Sequence, residues 1–392
     1  MTASGSAAVI SGIGEVPLTP DGSGRSADYM TYSAALAACA DAGIDPSDVD
    51  GVVKYTYDGA ISAMTLAATL GVDELAYSLE VPSGGGSSVA LIDVARTLID
   101  SGRARAILCF RTLNGQEWLK QMTMPDPLRP YYLDGVNYMR ASGWTGYLHL
   151  FSAVYEEYAA RYPAMSRETL FRSVNLMRAN AARNPEALLK EPVTREEYFD
   201  EKVRTVGPFT RFDEYASSDL SCAVLVTASG VSGSSSREIQ IAASAQSHGP
   251  DPKTWFDLRP TSSSWPDSPS SIVAARLYAE AGITPDDVDV AAVYDCTSFT
   301  YLDLVETFGL CDRGEVADLV SDAAFASDGR RPVNPHGGDL TCGYSAGFRH
   351  ILEAVRQLRG EAANQVDGAE HALVVAPQIG PTSGAILRRR SS

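Results

Sequence analysis

Residues that build metal sites and covalent-lysine sites are scarce in this chain. Its 392 residues include six cysteines, five histidines and five lysines. No CxxC pair occurs and no Cys/His cluster has ligand spacing, so no zinc site is expected. Cys39, Cys109, Cys222, Cys296, Cys311 and Cys342 stand apart; most lie in apolar or helical surroundings such as AALAACA and AILCF, and read as small core residues. Positive charge is short as well: 32 Lys and Arg against 49 Asp and Glu leave a net charge of −17. Nucleic acid and anionic membranes both demand a basic face, so neither is expected as the main partner. Solubility is reason enough for the acidity. Nowhere do about 18 apolar residues run together. The opening MTASGSAAVISG lacks the basic start and apolar stretch of a signal peptide. These absences predict a soluble, cytoplasmic protein.

What is present is an ordinary globular composition, 45% apolar and 21% charged, at a length that suits two domain-sized units. Such a chain buries a sufficient core without disulfide or metal staples. Its most informative feature is an internal repeat. Residues 39–55 read CADAGIDPSDVDGVVKY and residues 278–294 read YAEAGITPDDVDVAAVY, with nine of seventeen positions identical. Each copy reads as the end of a helix, a Gly stop, a Pro-containing turn and a short buried strand closed by Tyr55 or Tyr294.

A second match supports the first. Residues 92–98 and 352–358 are both amphipathic, each after a Gly/Ser-rich loop (SGGGSS at 83–88, CGYSAG at 342–347). Each also leads to an apolar strand, at 106–110 and 372–376. The chain therefore divides into an N-terminal half, 1–237, and a C-terminal half, 238–392, each an α/β layer structure. Residues 113–212 form an insertion in the first half, with a helix over 166–182, and an insertion of that size suits a lid or substrate-binding segment. Residues 220–228 and 238–243 read as a buried strand pair crossing into the second half, with a surface turn at 229–236.

These features together resemble the thiolase superfamily, nearest its sterol-carrier-protein (lipid-transfer-protein) thiolase branch, over almost the whole chain. The segments that carry the resemblance are RANAARNPEALLKEPVTREEY (178–198), YASSDLSCAVLVTAS (215–229), VYDCTSF (293–299), NPHGGDLTCGYSAG (334–347) and QIGPTSGAIL (378–387). The resemblance implies a thiolase-like fold of two duplicated halves in α-β-α-β-α layers. The departures bear on function. Where the family places its nucleophilic Cys, this chain has Ser83, Gly84, Gly85, Gly86, Ser87 and Ser88. Tyr344 stands at the Gly-His-Pro histidine, Tyr294 at the His-Asp-Cys histidine, and the second catalytic Cys is replaced within 377–380. Covalent acyl transfer needs an activated nucleophile, and no His stands in a matched position to activate Ser83 or Ser87.

Loss of the nucleophile together with two His-to-Tyr positions is similar to the steroid side-chain-cleaving aldolases. That group splits a β-hydroxyacyl-CoA, a C22 steroid thioester, into a 17-ketosteroid and propionyl-CoA during steroid (cholesterol) side-chain degradation. Retro-aldol cleavage needs a base for the hydroxyl proton and an acid for the released carbanion. A thioester stabilises that carbanion as an enolate, so neither metal nor Schiff-base lysine is required and no cofactor is expected. The resemblance implies Tyr294 as base and Tyr344 as acid. A strand-closing tyrosine such as Tyr294 is also explained by packing, whereas Tyr344, in a Gly-rich turn, is poorly placed for a core role. Asp295 either orients Tyr294 or caps the following turn. His336 is a supporting donor or a loop residue. Gly343 precedes Tyr344, and Gly84, Gly85 and Gly86 offer backbone N–H groups to a thioester or enolate oxygen. Cys296 and Cys342 read as lining. The group also implies a homodimer within a heterotetramer, completed by a small OB-fold partner that contacts the acyl-CoA. Trp118, Tyr131, Tyr132, Tyr138, Trp144 and Tyr147 in the insertion suit a steroid pocket or the docking surface. A conventional acyltransferase and a non-catalytic acyl-CoA- or lipid-binding subunit are the competing readings.

Overall fold

In a computed structural model, residues 7–20, 24–55, 60–81, 84–114, 143, 146–249, 268–377 and 381–390 are described. The first half opens with β1 (Ala8–Thr19), α1 (Ala27–Ala42), β2 (Gly51–Tyr55) and α2 (Ala63–Leu70). It continues with β3 (Tyr77–Val81), α3 (Ser87–Asp100) and β4 (Ala106–Leu113). The insertion supplies α4 (Tyr147–Arg161), α5 (Arg167–Ala182) and α6 (Arg195–Phe199) before β5 (Asp219–Ala228). The second half holds β6 (Ile239–Ser247), α7 (Pro269–Ala281), β7 (Val290–Val293) and α8 (Ser298–Thr307). It ends with α9 (Val316–Ser321), α10 (Asp339–Cys342), α11 (Phe348–Arg359), β8 (His371–Pro377) and β9 (Thr382–Arg389).

Local chemistry explains the repeat. Both α1 and α7 are capped at the start by a serine side chain (Ser26, Ser268). Both stop at a glycine in the left-handed region, Gly43 at φ 64° and Gly282 at φ 67°, a conformation that other residues adopt only with strain. A three-residue 3-10 turn follows in each copy, at Pro46–Asp48 and Pro285–Asp287, and the chain then enters a fully buried strand.

The strands run in the order β3-β2-β4-β5-β1-β6-β9-β8-β7. The order is nearly symmetric about its centre. β2 and β4 are parallel, as are β7 and β8; β4–β5 and β5–β1 are antiparallel, as are β8–β9 and β9–β6. Even β3 has a trace of a counterpart, a single parallel bridge from Ala291 to Val333. Among the described residues, the two sets of strands pair with each other where Val9 and Ile10 of β1 meet Gln240 and Ile239 of β6. Helices α3 and α11 pack on strands of both halves, α1 covers the first set of strands from outside and α7 the second, which gives the α-β-α-β-α layering.

One expectation is corrected. The strands read at 220–228 and 238–243 exist, but they are not neighbours, because β1 lies between them. The turn joining them gives no information on which strand each will pair with, and the amino-terminal strand is the one that fills the gap. In the insertion the helix read at 166–182 is α5, capped by Ser166 and Thr169. Trp118, Tyr131, Tyr132, Tyr138 and Trp144 lie outside the described residues. Among the described residues no helix is long and apolar enough to cross a membrane.

Candidate active site

The site begins at the carboxyl end of β7. The side chain of Asn334 brackets Val293, accepting its N–H at 2.7 Å and donating to its carbonyl at 2.7 Å. His350 on α11 donates through Nε2 to the same carbonyl (2.9 Å) and to Asp295 Oδ1 (3.1 Å). The next residue, Tyr294, thus follows a strand residue tied at both its backbone N–H and its carbonyl. Asp295 points away from Tyr294: its carboxylate accepts the N–H groups of Asp339 (2.7 Å) and Leu340 (3.2 Å), so it caps α10 rather than its own turn. Asp339 repeats the device one step on, accepting from Ser345 Oγ (2.7 Å) and from the N–H groups of Ser345 and Gly347 (3.1 Å each). Two carboxylates in series therefore fix the loop that carries Tyr344 against the strand end that carries Tyr294.

The Tyr294 hydroxyl donates to the Tyr344 hydroxyl at 3.4 Å, at the long edge of hydrogen-bond range, with the ring centroids 6.5 Å apart. Tyr344 also stacks on Tyr215 (centroids 4.1 Å), and Tyr215 on Tyr147 (5.8 Å), whose hydroxyl donates to Glu214 (3.1 Å). From the first half, the guanidinium of Arg111 lies 4.4 Å from the ring centroid of Tyr55 and 4.9 Å from that of Tyr344. Burial pushes the Tyr294 phenol well above its usual value of 10, and Cys296, Tyr344 and Asp339 push it further. Tyr344 is pushed up to about 12 by burial, with Arg111 acting in the opposite direction. Burial raises Asp295 to about 6 against the pull of His350; for His350 burial opposes the charged form, but Asp295 and Asp339 outweigh it and raise the imidazole.

The Gly84–Gly86 run forms a 3-10 turn leading directly into α3. A Cβ on Gly86 would stand 2.5 Å from the Pro381 carbonyl oxygen, so only glycine fits beneath the closing segment. Ser88 Oγ donates to the Ala346 carbonyl (2.6 Å), which sets the glycine run beside the Tyr344 loop. Gly343 has φ 100°, and a Cβ there would meet Ser218 Oγ at 2.0 Å. His336 is buried behind the loop, edge-to-face with His350 at 5.1 Å, and burial holds it neutral. Its carbonyl accepts from Asn184 (3.0 Å) and from the Cys342 thiol (3.2 Å). Burial raises the Cys296 thiol to about 12 and raises Cys342 as well, so neither is poised as a thiolate. Ser83, the Ser87 side chain and 378–380 lie outside the described residues.

Asp295, Asp339 and His350 bring candidate metal-ligand atoms within 4.8 Å of one another. Their carboxylate oxygens are already engaged by N–H and O–H donors, which makes the trio a hydrogen-bonded brace. Sequence reasoning missed Arg111, Tyr215, Asn334, Asp339 and His350. Arg111 alone carried a signal, a charge inside the apolar run AILCFRTL.

A family model described as thiolase C-terminal domain-like matches residues 261–383. The chain is 34% identical over 391 residues to a 17-hydroxy-3-oxo-4-pregnene-20-carboxyl-CoA lyase of Mycobacterium tuberculosis, covering 98% of this chain and 99% of that one. It is 31% identical to a steroid side-chain-cleaving aldolase of Thermomonospora curvata, with 97% of each chain covered. Among solved structures, the Ltp2–ChsH2(DUF35) aldolase superposes with a TM-score of 0.88 at 30% identity over the full length of both chains.

Proposed function

The chain belongs to the thiolase superfamily and, within it, to the steroid side-chain-cleaving aldolases, and on that premise we propose that it is a carbon–carbon lyase cleaving a β-hydroxyacyl-CoA steroid. The substrate is a C22 steroid CoA thioester with a tertiary 17-hydroxyl, and the products are a 17-ketosteroid and propionyl-CoA. The observation that carries the mechanism is the contact between the Tyr294 and Tyr344 hydroxyls.

Retro-aldol cleavage moves one proton from the substrate hydroxyl to the α-carbon and leaves nothing else to balance. Both phenols are raised and therefore protonated near neutral pH, so Tyr294 accepts a proton only while it passes its own onward. The hydroxyl proton goes to the Tyr294 oxygen, the Tyr294 proton to Tyr344, and the Tyr344 proton to carbon. The 17-carbon–20-carbon bond breaks, its electron pair becomes the thioester enolate, and that carbon takes the proton. No free phenolate accumulates, which suits a site that penalises charge. The N–H groups of the Gly84–Gly86 turn are the donors assigned to the enolate oxygen, supported by their position beside the Tyr344 loop. No cofactor enters this sequence.

The chain works in a complex with a second protein. The name of the solved neighbour, which joins an aldolase to a DUF35 protein, supports this, and the proposed assembly is a homodimer of this chain with two OB-fold partners. The edge strand β3, paired among the described residues with β2 alone and exposed at Ser78, Leu79 and Glu80, supports pairing across a two-fold axis. The test is to incubate the purified chain, with and without a DUF35-type OB-fold protein, with a 17-hydroxy C22 steroid acyl-CoA. Ketosteroid and propionyl-CoA are expected in equal amounts and only with the partner. No cleavage under either condition overturns the activity, and full activity from the chain alone overturns the partner requirement.

A further inference from the structure

Strand β4 is buried along its whole length, and Arg111 is its only charged residue. A guanidinium taken out of water at that depth is costly unless other groups favour its charge. Among the groups it meets are two ring faces, Tyr55 from β2 at 4.4 Å and Tyr344 at 4.9 Å, both within the range at which a cation is attracted to an aromatic quadrupole. Cys222 stands opposite it on β5.

We propose that Arg111 polarises the tyrosine pair, so that Tyr344 rather than Tyr294 bears negative charge while the proton passes to carbon. The proposal rests on the reading of that pair as the proton relay. Around Tyr344 stand Arg111 from β4, Tyr215 ahead of β5, and Tyr294 and Cys296 at the end of β7. Of these, Arg111 is the cation, and it favours the ionised phenol, as does the hydrogen bond from Tyr294. Around Tyr294 stand Cys296, Tyr344 and Asp339, and each disfavours ionisation. The pair is therefore asymmetric: Tyr344 is the stronger acid and Tyr294 the more basic oxygen when its proton leaves. That asymmetry gives the relay its direction, from the substrate hydroxyl through Tyr294 to Tyr344 and on to carbon. Arg111 acts through Tyr344 and is a positioning residue.

The experiment places 3-fluorotyrosine at position 344 of the full chain in its complex, so that the fluorine resonance reports the ionisation of that phenol alone. Arg111→Met removes the charge and keeps the stem, and Arg111→Lys keeps the charge without the planar fork. The titration midpoint in Arg111→Met is expected to rise by about one pH unit or more, with a smaller rise in Arg111→Lys. In the unlabelled variants kcat is expected to fall roughly 10²-fold in Arg111→Met, with KM nearly unchanged and partial recovery in Arg111→Lys. An unmoved midpoint, or a moved midpoint with unaltered kcat, overturns the proposal. Tyr344→Phe, assayed beside them, separates the two levels: if it is crippled while the Arg111 variants are normal, Arg111 alone is misassigned. If Tyr344→Phe turns over normally, the relay reading fails with it.

Discussion

Tyr55 and Tyr294 close equivalent strands, β2 and β7, after matching glycine-capped helices and 3-10 turns, and both are buried. Their neighbours differ. Tyr55 presents its ring to the guanidinium of Arg111; Tyr294 presents its hydroxyl to Tyr344. The Gly/Ser loops that follow each strand diverge in the same way, a side-chain-free turn at Gly84–Gly86 in one half and a tyrosine braced by Asp339 in the other. Duplication thus supplied one backbone position twice, and what each copy does is set by the residues that approach it from elsewhere. The cation of one half reaches the tyrosine of the other, so the site draws on both copies.

The sharpest break of that comparison is to remove hydroxyls one at a time. Tyr294→Phe and Tyr344→Phe are expected to lower kcat about 10²–10⁴-fold at nearly unchanged volume, whereas Tyr55→Phe stays within about threefold. Comparable losses at Tyr55 and Tyr294 in the same steady-state assay would mean that the two positions never diverged.

A second contrast concerns how each central helix is fastened to the opposite half. Glu15 on β1 pairs with Arg349 (2.9 Å) and Arg356 of α11, and Arg349 also reaches Glu186 (2.6 Å). On α3, Arg96 pairs with Glu280 of α7 (2.8 Å), and Asp93 accepts neutral donors from β6, Ser244 (2.7 Å) and Gln246 (2.9 Å). Glu15→Gln leaves buried cations short of a partner and is expected to cost about 3–5 kcal/mol, against about 1 kcal/mol for Asp93→Asn, read from urea unfolding. Although burial opposes it, the two arginines hold Glu15 down at about 2 from its ordinary 4.5. Its contribution is therefore present above pH 4.5 and lost as pH falls from 4.5 towards 2. Unfolding curves across that window should steepen with acid in the wild type and flatten in Glu15→Gln; identical pH dependence would remove Glu15 from this role.

The smallest effects are expected at the thiols. Cys296→Ser and Cys342→Ser should each leave turnover within about threefold, because neither thiol is ionised near neutral pH. A loss approaching that of Tyr344→Phe would return a cysteine to the chemistry.

The halves were legible because their signals are local. A glycine stop, a Pro-Asp turn and a β run lie within seventeen residues, and the copies identify each other. The meeting of Tyr294 with Tyr344 was legible through loops that resemble a known family. What could not be read depends on partners far apart in sequence. β1 sits between β5 and β6 although 200 residues separate it from either. Asp295 turns to α10 because the donors there are unsatisfied helix-start N–H groups, a fact absent from the residues around it. Tyr215 and Arg111 join the site only once β4 and β5 are side by side.

The narrow seam between β1 and β6 has a consequence for biosynthesis. A ribosome delivers β1 through β5 while α11, with the arginines that neutralise Glu15 and Asp41, is still unmade. The emerging first half holds an open apolar face and a Glu15 carboxylate whose arginines are still to come, and helix α3 waits for β9, on which it rests. Completion is late and governed by distant pairings, the regime in which chains fold slowly and associate with one another before they finish. A stop codon even a few residues ahead of Arg389 removes part of the last strand beneath an amino-terminal helix.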